Sequence, residues 1–203
     1  MTKRLGILIS GRGSNLQAII SAICDGALEA TIAVVISNKR DAGGLARARE
    51  AGIDAVFLDP RAFAARTEYD AGLVAVLRER GVDLVCLAGF MRLIGTPLLD
   101  AFPDRILNVH PSLLPSFPGL EAQRQALEHG VRVSGATVHF VTAGLDDGPI
   151  VSQAAVPVLQ GDSVETLSAR ILVEEHRLYP EAIRIVLGGD WRIKGRRVVP
   201  RGA

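Results

Sequence analysis

The chain has 203 residues, of which 48% are hydrophobic, and its formal net charge is +1 at pH 7. This composition can build a sizeable core, which excludes general disorder, and a nearly neutral chain offers no broad basic surface for nucleic acid. Two cysteines indicate a reducing compartment, and no apolar run is long enough for a signal sequence or a membrane span. We therefore expect a cytoplasmic protein that has neither nucleic acid nor membrane as a partner.

The first half of the chain alternates short apolar runs with helical patterns. We predict strands at residues 5–9, 33–36, 55–58 and 82–87, with helices starting after residue 15, near 44–51 and near 68–80. Continuous apolar strands separated by helices are typical of a parallel sheet that is covered on both faces. The sequence therefore predicts a doubly wound α/β fold with a mainly parallel sheet.

The second half of the chain has a different sequence pattern from the first. A proline-rich loop at residues 111–119 precedes a short helix, and strands at 136–141 and 150–156 flank a turn, so the sheet is predicted to end in antiparallel strands. Asp162 and Ser163 resemble a helix N-cap, and that helix is predicted to run to residues 188–189 with a bend near Pro180. The basic residues 192–201 are predicted to be a solvated terminus. No linker or repeat interrupts the chain, which we interpret as one domain.

A glycine-rich turn lies between the first strand and the first helix. Gly13, Ser14 and Asn15 place backbone N–H groups at a helix start, where a phosphate group binds favourably. Leu16 occupies the third glycine position of the dinucleotide motif, and no acidic residue follows the second strand, so NAD is disfavoured. A tight strand-to-helix turn without a ligand is the alternative.

An amide and an imidazole stand two residues apart at the end of an apolar run. If residues 105–109 form a strand, Asn108 and His110 point to the same face and can converge on one reacting group. An amide donor beside a titratable ring suits acyl or formyl transfer, in which an oxyanion develops and a proton moves. Asp146 is the natural third member because a carboxylate orients an imidazole, and Asp147 is a rival. Both aspartates also fit an ordinary turn.

Five segments together resemble the phosphoribosylglycinamide formyltransferases, a folate-dependent family of purine synthesis. They are residues 9–17 around Gly11-Arg12-Gly13-Ser14-Asn15, residues 87–92, the run Asn108-Val109-His110-Pro111-Ser112 that extends to Pro115, residues 138–141 around His139, and residues 145–149 around Asp146. The segments occur in order and span nearly the whole chain.

The resemblance implies transfer of a formyl group from 10-formyltetrahydrofolate, a co-substrate, to the amino group of glycinamide ribonucleotide, without a metal. It implies that Asn108, His110 and Asp146 are catalytic. It divides the chain into a nucleotide-phosphate-binding half, 1–105, and a catalytic and folate-binding half, 106–203, in a monomer or homodimer. The phosphate would bind at Gly13, Ser14 and Asn15, with Glu175 at the ribose, and the folate would lie along Met91, Arg92, Leu93, Thr142, Ala143, Gly144 and Leu145.

Four positions depart from the usual family pattern: Ser116, Glu121, Gln123 and Asp147. These differences bear on affinity more than on the type of reaction. Two functions remain as alternatives. A 10-formyltetrahydrofolate hydrolase resembles this pattern but would be expected to carry an additional N-terminal domain, and a non-catalytic folate or nucleotide sensor could use the same fold. Methionyl-tRNA formyltransferases share related motifs but are expected to have a C-terminal RNA-binding domain.

Overall fold

The structure is a computed structural model that describes residues 2–202. The chain forms two compact units, with the boundary between Leu107 and Asn108. One strand, which contains Ile106 to His110, crosses this boundary.

The first unit contains four complete strands, four helices and the beginning of a fifth strand. In chain order they are β1 (Lys3–Ile9), α1 (Ser14–Cys24), β2 (Ala30–Ser37), α2 (Gly43–Glu50), β3 (Ala55–Phe57), α3 (Arg66–Glu79), β4 (Leu84–Leu87), α4 (Thr96–Ala101) and β5 (Ile106–His110). A short 3-10 turn at Pro60–Ala62 precedes α3.

The strands of the first unit run in the order β3-β2-β1-β4-β5. β1 pairs in parallel with both β2 and β4, and β2 pairs in parallel with β3. Because the chain moves outward from β1 in opposite directions, right-handed crossovers place α1 and α2 on one face and α3 and α4 on the other. Burial agrees with this arrangement, since Ile7, Val35 and Leu84 are completely inaccessible to solvent. The predicted doubly wound, mainly parallel fold is confirmed.

The second unit continues from β5 and ends in a hairpin. Its elements are α5 (Ala122–Glu128), β6 (Val133–Phe140), β7 (Ile150–Pro157), α6 (Val164–Gly188), β8 (Trp191–Lys194) and β9 (Arg197–Pro200). The strand order is β5-β6-β7-β9-β8, in which β6 with β7 and β8 with β9 are antiparallel. Antiparallel strands in this part of the chain are thus confirmed.

The helix α6 begins as the sequence indicates. The Ser163 hydroxyl accepts the N–H of Thr166, and the Thr166 hydroxyl accepts the N–H of Ser163, which forms a capping box. The helix ends at Gly188 and is capped by Gly189, whose φ of 73° suits glycine. Pro180 lies inside this helix, which continues on both sides of it.

Two features differ from the prediction. Most of residues 192–201 are exposed, as predicted, but they form the β8–β9 hairpin, which was not predicted and in which Trp191 packs on Phe140 with ring centroids 4.9 Å apart. The helix α4 was not predicted, since six residues are too few to display a helical period. No helix among residues 2–202 has the length and hydropathy needed to cross a membrane.

Candidate active site

The end of β5 brings an amide and an imidazole to one face, as the alternation of a strand requires. Asn108 and His110 both lie within β5, and His110 is buried while Asn108 is partly accessible. Nδ1 of His110 lies 3.4 Å from the Asp146 carboxylate, and Asn108 contacts His139, whose Nε2 is 3.7 Å from the same carboxylate. The three residues singled out from the sequence therefore meet in one cluster of the second unit.

His110 lies between two oxygen atoms. Its Nε2 is 2.8 Å from the carbonyl oxygen of Phe117, and its Nδ1 is 3.4 Å from Oδ2 of Asp146. A carbonyl and a carboxylate are both acceptors, so a doubly protonated ring can donate at each nitrogen. These two contacts fix the plane of the imidazole ring.

The backbone at Asp146 is held in an unusual conformation. Its φ is 49°, in the left-handed region that residues other than glycine seldom adopt. The backbone N–H of Gly119 donates to Oδ2 of Asp146 over 2.8 Å, which ties this turn to the loop after β5. The conformation directs the Asp146 carboxylate toward the histidines.

The neighbouring carboxylate is used differently. Asp147 is exposed, and its Oδ1 accepts a short hydrogen bond from the hydroxyl of Thr142. This contact braces the turn that contains residues 142–147. Asp147 is therefore not placed at His110, which favours Asp146 as the partner of the imidazole.

A second histidine, His139 of β6, completes the cluster. Burial lowers the pKa of His139, and although the nearby Asp146 carboxylate acts in the opposite direction, the ring is held neutral near pH 7. Its Nδ1 donates to the carbonyl of Phe140 over 2.9 Å, so Nε2 carries the lone pair. That lone pair accepts a hydrogen bond from Nδ2 of Asn108 at 3.2 Å.

The orientation of Asn108 follows from the tautomer of His139. Because Nε2 of His139 is an acceptor, the NH₂ group of Asn108 must face it, and the second N–H of that group remains for a ligand. Sequence reasoning assigned no role to His139, Phe117 or Gly119. Only His139 carried a signal, as a polar residue in an otherwise apolar strand pattern.

The glycine-rich turn of the first unit lies at the start of α1. Gly13 is the N-cap residue with a φ of 75°, and it has no side chain with which to cap the helix. A Cβ on Gly13 would stand 2.6 Å from the Cα of Gly44, so this position requires glycine both for its φ and for space. The predicted helix N-terminus is present at this turn, and helix N-termini favour anions.

A second loop reaches the same edge of the first unit, since β1 and β4 are parallel neighbours. Ser10 joins the two loops: its N–H donates to the carbonyl of Gly89 over 3.0 Å, and its hydroxyl accepts the N–H of Met91 over 2.8 Å. The same hydroxyl donates to Oδ1 of Asn38 over 2.6 Å. The glycine-rich turn and the segment after β4 are thus hydrogen-bonded through one residue.

The remaining predicted binding residues are either exposed on loops or buried on a helix. Met91 and Leu93 expose apolar side chains in the first unit, and Leu145 does so in the second, within the exposed segment 142–145. Exposed apolar side chains on loops are typical of ligand-contacting surfaces. Glu175 is instead buried on α6.

The positions that depart from the family pattern lie on loops and on α5. The Oε2 of Glu121 is 3.3 Å from Nε of Arg124, and Glu121 itself has a φ of 56°. The carbonyl of Ser116 accepts from the hydroxyl of Ser112 over 2.5 Å. The contacts of the Asp146 carboxylate described above are made by His110, His139 and Gly119, and not by the side chain of Ser116 or Glu121.

The fold and this cluster define the class to which the molecule belongs. The model of the formyl transferase family matches residues 3–183, which is most of the chain, and the chain belongs to that family.

Within the family, the chain is similar to proteins of purine synthesis. It is 45% identical to the phosphoribosylglycinamide formyltransferase of Escherichia coli over 203 residues, covering 97% of this chain and 96% of that protein. The crystal structure of glycinamide ribonucleotide transformylase 1 from Symbiobacterium toebii is 63% identical with a TM-score of 0.97, covering 98% of this chain and 94% of that one. The trifunctional purine biosynthetic protein adenosine-3 of Drosophila pseudoobscura pseudoobscura is 48% identical over 94% of this chain, which spans only 14% of that protein's length.

Proposed function

We propose that the chain transfers the formyl group of 10-formyltetrahydrofolate to the amino group of glycinamide ribonucleotide, a step of purine biosynthesis. The observation that carries the proposal is the cluster of Asn108, His110 and Asp146, in which an amide donor, an imidazole and a carboxylate converge. The similarity to the Escherichia coli formyltransferase over nearly the full length of both chains supports it.

The chemistry needs a donor for an oxyanion and a route for a proton. The substrate amine attacks the formyl carbon, and the carbonyl oxygen acquires negative charge in a tetrahedral intermediate. The second N–H of Asn108 can donate to that oxygen because the first is held by His139. Collapse of the intermediate breaks the bond from carbon to the folate nitrogen, which takes a proton as the former amine loses one.

The imidazole of His110 supplies the second interaction. Protonated His110 can donate to the developing oxyanion through Nε2, in place of its present bond to the carbonyl of Phe117. The Asp146 carboxylate at Nδ1 stabilises the imidazolium and, through water, can relay the proton to the leaving nitrogen. The two substrates provide nucleophile and leaving group, so we propose neither a metal nor a covalent enzyme intermediate.

The substrates are assigned to segments by the chemistry each segment offers. We place the substrate phosphate on the N–H groups at Gly13, Ser14 and Asn15, and the ribose hydroxyls at Glu175. The folate is assigned to the segments 91–93 and 142–145, whose exposed apolar side chains suit an aromatic ring system. We further propose a cytoplasmic location and a monomer or homodimer.

A single assay tests the reaction. The purified protein is incubated with 10-formyltetrahydrofolate, with and without glycinamide ribonucleotide, and both tetrahydrofolate and the formylated amine are quantified. We expect turnover only when the amine is present, with one formylated product for each folate released. Folate release without the amine would indicate a hydrolase, and binding without turnover would indicate a sensor.

The phosphate assignment has its own test in Ser14→Ala. Loss of a hydroxyl at the helix start removes one donor near the anion, worth about 0.5–1.5 kcal/mol, so the Kd for glycinamide ribonucleotide should rise about tenfold at most. The Kd for the folate should stay within a factor of two. Calorimetric titration of each substrate measures both values, and a change confined to folate binding would reverse our assignment of the two substrates.

A further inference from the structure

A carboxylate is buried in the first unit, away from the cluster in the second. Asp70 of α3 is only 1% exposed, and its Oδ2 accepts the backbone N–H of Gly95 over 2.7 Å. Aspartate is almost never fully buried unless its charge is compensated. The other carboxylate oxygen, Oδ1, is buried without a hydrogen-bond partner in the described part of the chain.

The segment that Asp70 contacts is residues 91–95, the second part of the loop between β4 and α4. Its first N–H, at Met91, is held by Ser10, and its last, at Gly95, is held by Asp70. Between these anchors the guanidinium of Arg92 lies 5.0 Å from the centre of the Tyr69 ring. The loop is therefore fixed at both ends and by one side chain in the middle.

Space at the second anchor is also restricted. A Cβ on Gly95 would stand 2.9 Å from Oδ2 of Asp70 and 3.6 Å from Nη2 of Arg66. The carboxylate and this guanidinium thus surround the Gly95 backbone. Two arginines, Arg66 of α3 and Arg92 of the loop, act electrostatically on Asp70.

The charge of Asp70 costs folding stability. Burial raises the pKa of Asp70, and the Gly95 hydrogen bond and the two arginines only partly offset this effect. Between the ordinary pKa of 3.8 and the raised value, the unfolded chain is ionised while the folded chain retains its proton. Stability contributed by the protonated form is therefore lost as pH rises through this window, so a neutral residue here should fold at least as well near pH 7.

We propose that Asp70 is a positioning residue whose negative charge holds the segment 91–95, including Arg92, in the conformation that receives the folate. The inference rests on the proposed function, since residues 91–93 are assigned to the folate there. A carboxylate that costs stability and anchors a substrate loop is explained by binding rather than by folding.

The surroundings of Asp70 define how its charge responds to pH. Its own helix presents Arg66 and Tyr69, and burial raises the pKa of Tyr69 to about 12, so that phenol stays neutral. The loop presents Arg92, and α4, which packs against α3, carries an exposed Asp100. Asp59, near Tyr69, adds a further negative charge on that side. Of these groups, Asp70 is the buried carboxylate whose protonation acts directly on the loop.

The test uses Asp70→Asn, which keeps an oxygen as acceptor for the Gly95 N–H, removes the charge and places an NH₂ group where Oδ1 lies. We expect the Kd for 10-formyltetrahydrofolate to rise about fivefold at pH 7.5, because a charge-assisted hydrogen bond becomes a neutral one. The Kd for glycinamide ribonucleotide should not change. The urea midpoint of the variant should equal or exceed that of the unaltered protein, which a merely structural anchor would not produce.

Two comparisons sharpen the result. Glu68→Gln is the matched control. Glu68 is also a carboxylate of α3 that accepts a backbone N–H, but it is exposed and its donor is Ala64 rather than a residue of the segment 91–95. Its folate Kd should be unchanged. As pH falls through the raised pKa of Asp70, the folate Kd of the unaltered protein should approach that of Asp70→Asn, so the ratio of the two values should decline toward one.

Hydrogen exchange measures the anchor without turnover. Asp70→Ala should accelerate exchange of the amides in residues 91–95 most, Asp70→Asn should accelerate it less because a neutral hydrogen bond to Gly95 remains, and Glu68→Gln should leave it slow. Equal folate Kd values for Asp70→Asn and the unaltered protein, or a lower urea midpoint with both substrates weakened alike, would overturn the inference. Folate binding is measured without the amine, so failure of formyl transfer would overturn the proposed function and leave this comparison intact.

Discussion

Asp146 and Asp147 are neighbours with the same side chain, and the structure separates them by backbone conformation. The φ of 49° at Asp146 directs its carboxylate toward His110 and His139, while Asp147 turns outward to the hydroxyl of Thr142. A non-glycine residue in this region costs of order 1–3 kcal/mol, which surrounding contacts must offset. The hydrogen bond from Gly119 is one such contact.

Substituting each aspartate by asparagine tests this separation. Asp146→Asn preserves size but removes the charge that supports protonated His110, so we expect kcat to fall by about 10²–10³ while the Kd for glycinamide ribonucleotide changes little. Asp147→Asn should lower kcat less than about threefold, because its partner is a hydroxyl on an exposed turn. Steady-state kinetics and calorimetry in one buffer measure both variants.

A larger loss of kcat at Asp147 than at Asp146 would contradict our assignment of the two carboxylates. A severe loss for Asp147→Asn with near-normal turnover for Asp146→Asn would exchange the roles of the two carboxylates and leave formyl transfer as the reaction.

His139 allows a second prediction, because it acts through Asn108 rather than on substrate. In His139→Phe the acceptor for Nδ2 of Asn108 is lost, so the amide is free to rotate away from the oxyanion. A hydrogen bond of about 1–1.5 kcal/mol corresponds to a loss of about tenfold in kcat, with the Kd of each substrate nearly unchanged. His176→Phe, on α6, is the control and should retain full kcat. Parallel losses in both variants would contradict the positioning role of His139.

At the scale of elements, the turn between β6 and β7 depends on the absence of a side chain at Gly148. A Cβ there would overlap the carbonyl of Phe140, which also accepts the Nδ1 proton of His139. We expect Gly148→Ala to destabilise the protein by about 1–3 kcal/mol and to lower kcat, since the backbone at Phe140 must shift.

Gly188→Ala provides the comparison for this change. Its added methyl group meets no atom within 4 Å, and Gly188 is the last residue of α6, so stability should be unchanged or rise by up to about 1 kcal/mol. Urea denaturation of both variants checks the contrast. A stable Gly148→Ala with normal turnover would show that the turn can relax.

Elements with a strong period or a continuous apolar run could be predicted from sequence, and short amphiphilic ones could not. β1 and β2 are recognisable because a strand buried on both faces is apolar throughout, although β2 begins at Ala30, three residues before its predicted start. β8 and β9 escaped prediction because each has four residues and exposes Arg192 and Arg197, so composition suggested a solvated tail. β9 is held by pairing with β7, and Trp191 of β8 packs on Phe140, and both are long-range contacts.

The candidate site shows the same division. Asn108 and His110 could be placed on one face because strand alternation is local, and Gly13 could be placed at a helix start for a similar reason. The approach of Asp146 to His110 spans 36 residues and depends on a positive φ that no local pattern specifies. The carbonyl of Phe117 and the N–H of Gly119 are backbone groups, and residue identity carries no signal for them.

At the scale of the whole molecule, two histidines, the buried His139 and the half-buried His176, make stability depend on pH. Burial lowers the pKa of both His139 and His176 below the ordinary 6.5. Below about pH 6.5 the unfolded chain takes up protons that the folded chain does not, so the free energy of unfolding should fall as pH decreases toward the lowered values. Each histidine can contribute a slope of up to about 1.4 kcal/mol per pH unit.

Chemical denaturation between pH 7.5 and 5 measures this dependence. His176→Phe removes one of the two groups and should flatten the curve by its share, while His139→Phe should remove the other share. A curve that keeps its slope in both variants would assign the acid sensitivity to other groups.

The strands at the open edges of the sheet bear on how copies of the chain can associate. β3 has three residues, and β8 has four, with Lys194 directly opposite Arg197 on β9. Short edges and repelling cations are the means by which proteins prevent a neighbouring chain from adding its own strand. Fibre growth through these edges is therefore disfavoured at each end, and a homodimer, where one forms, would have to use helix and loop surfaces.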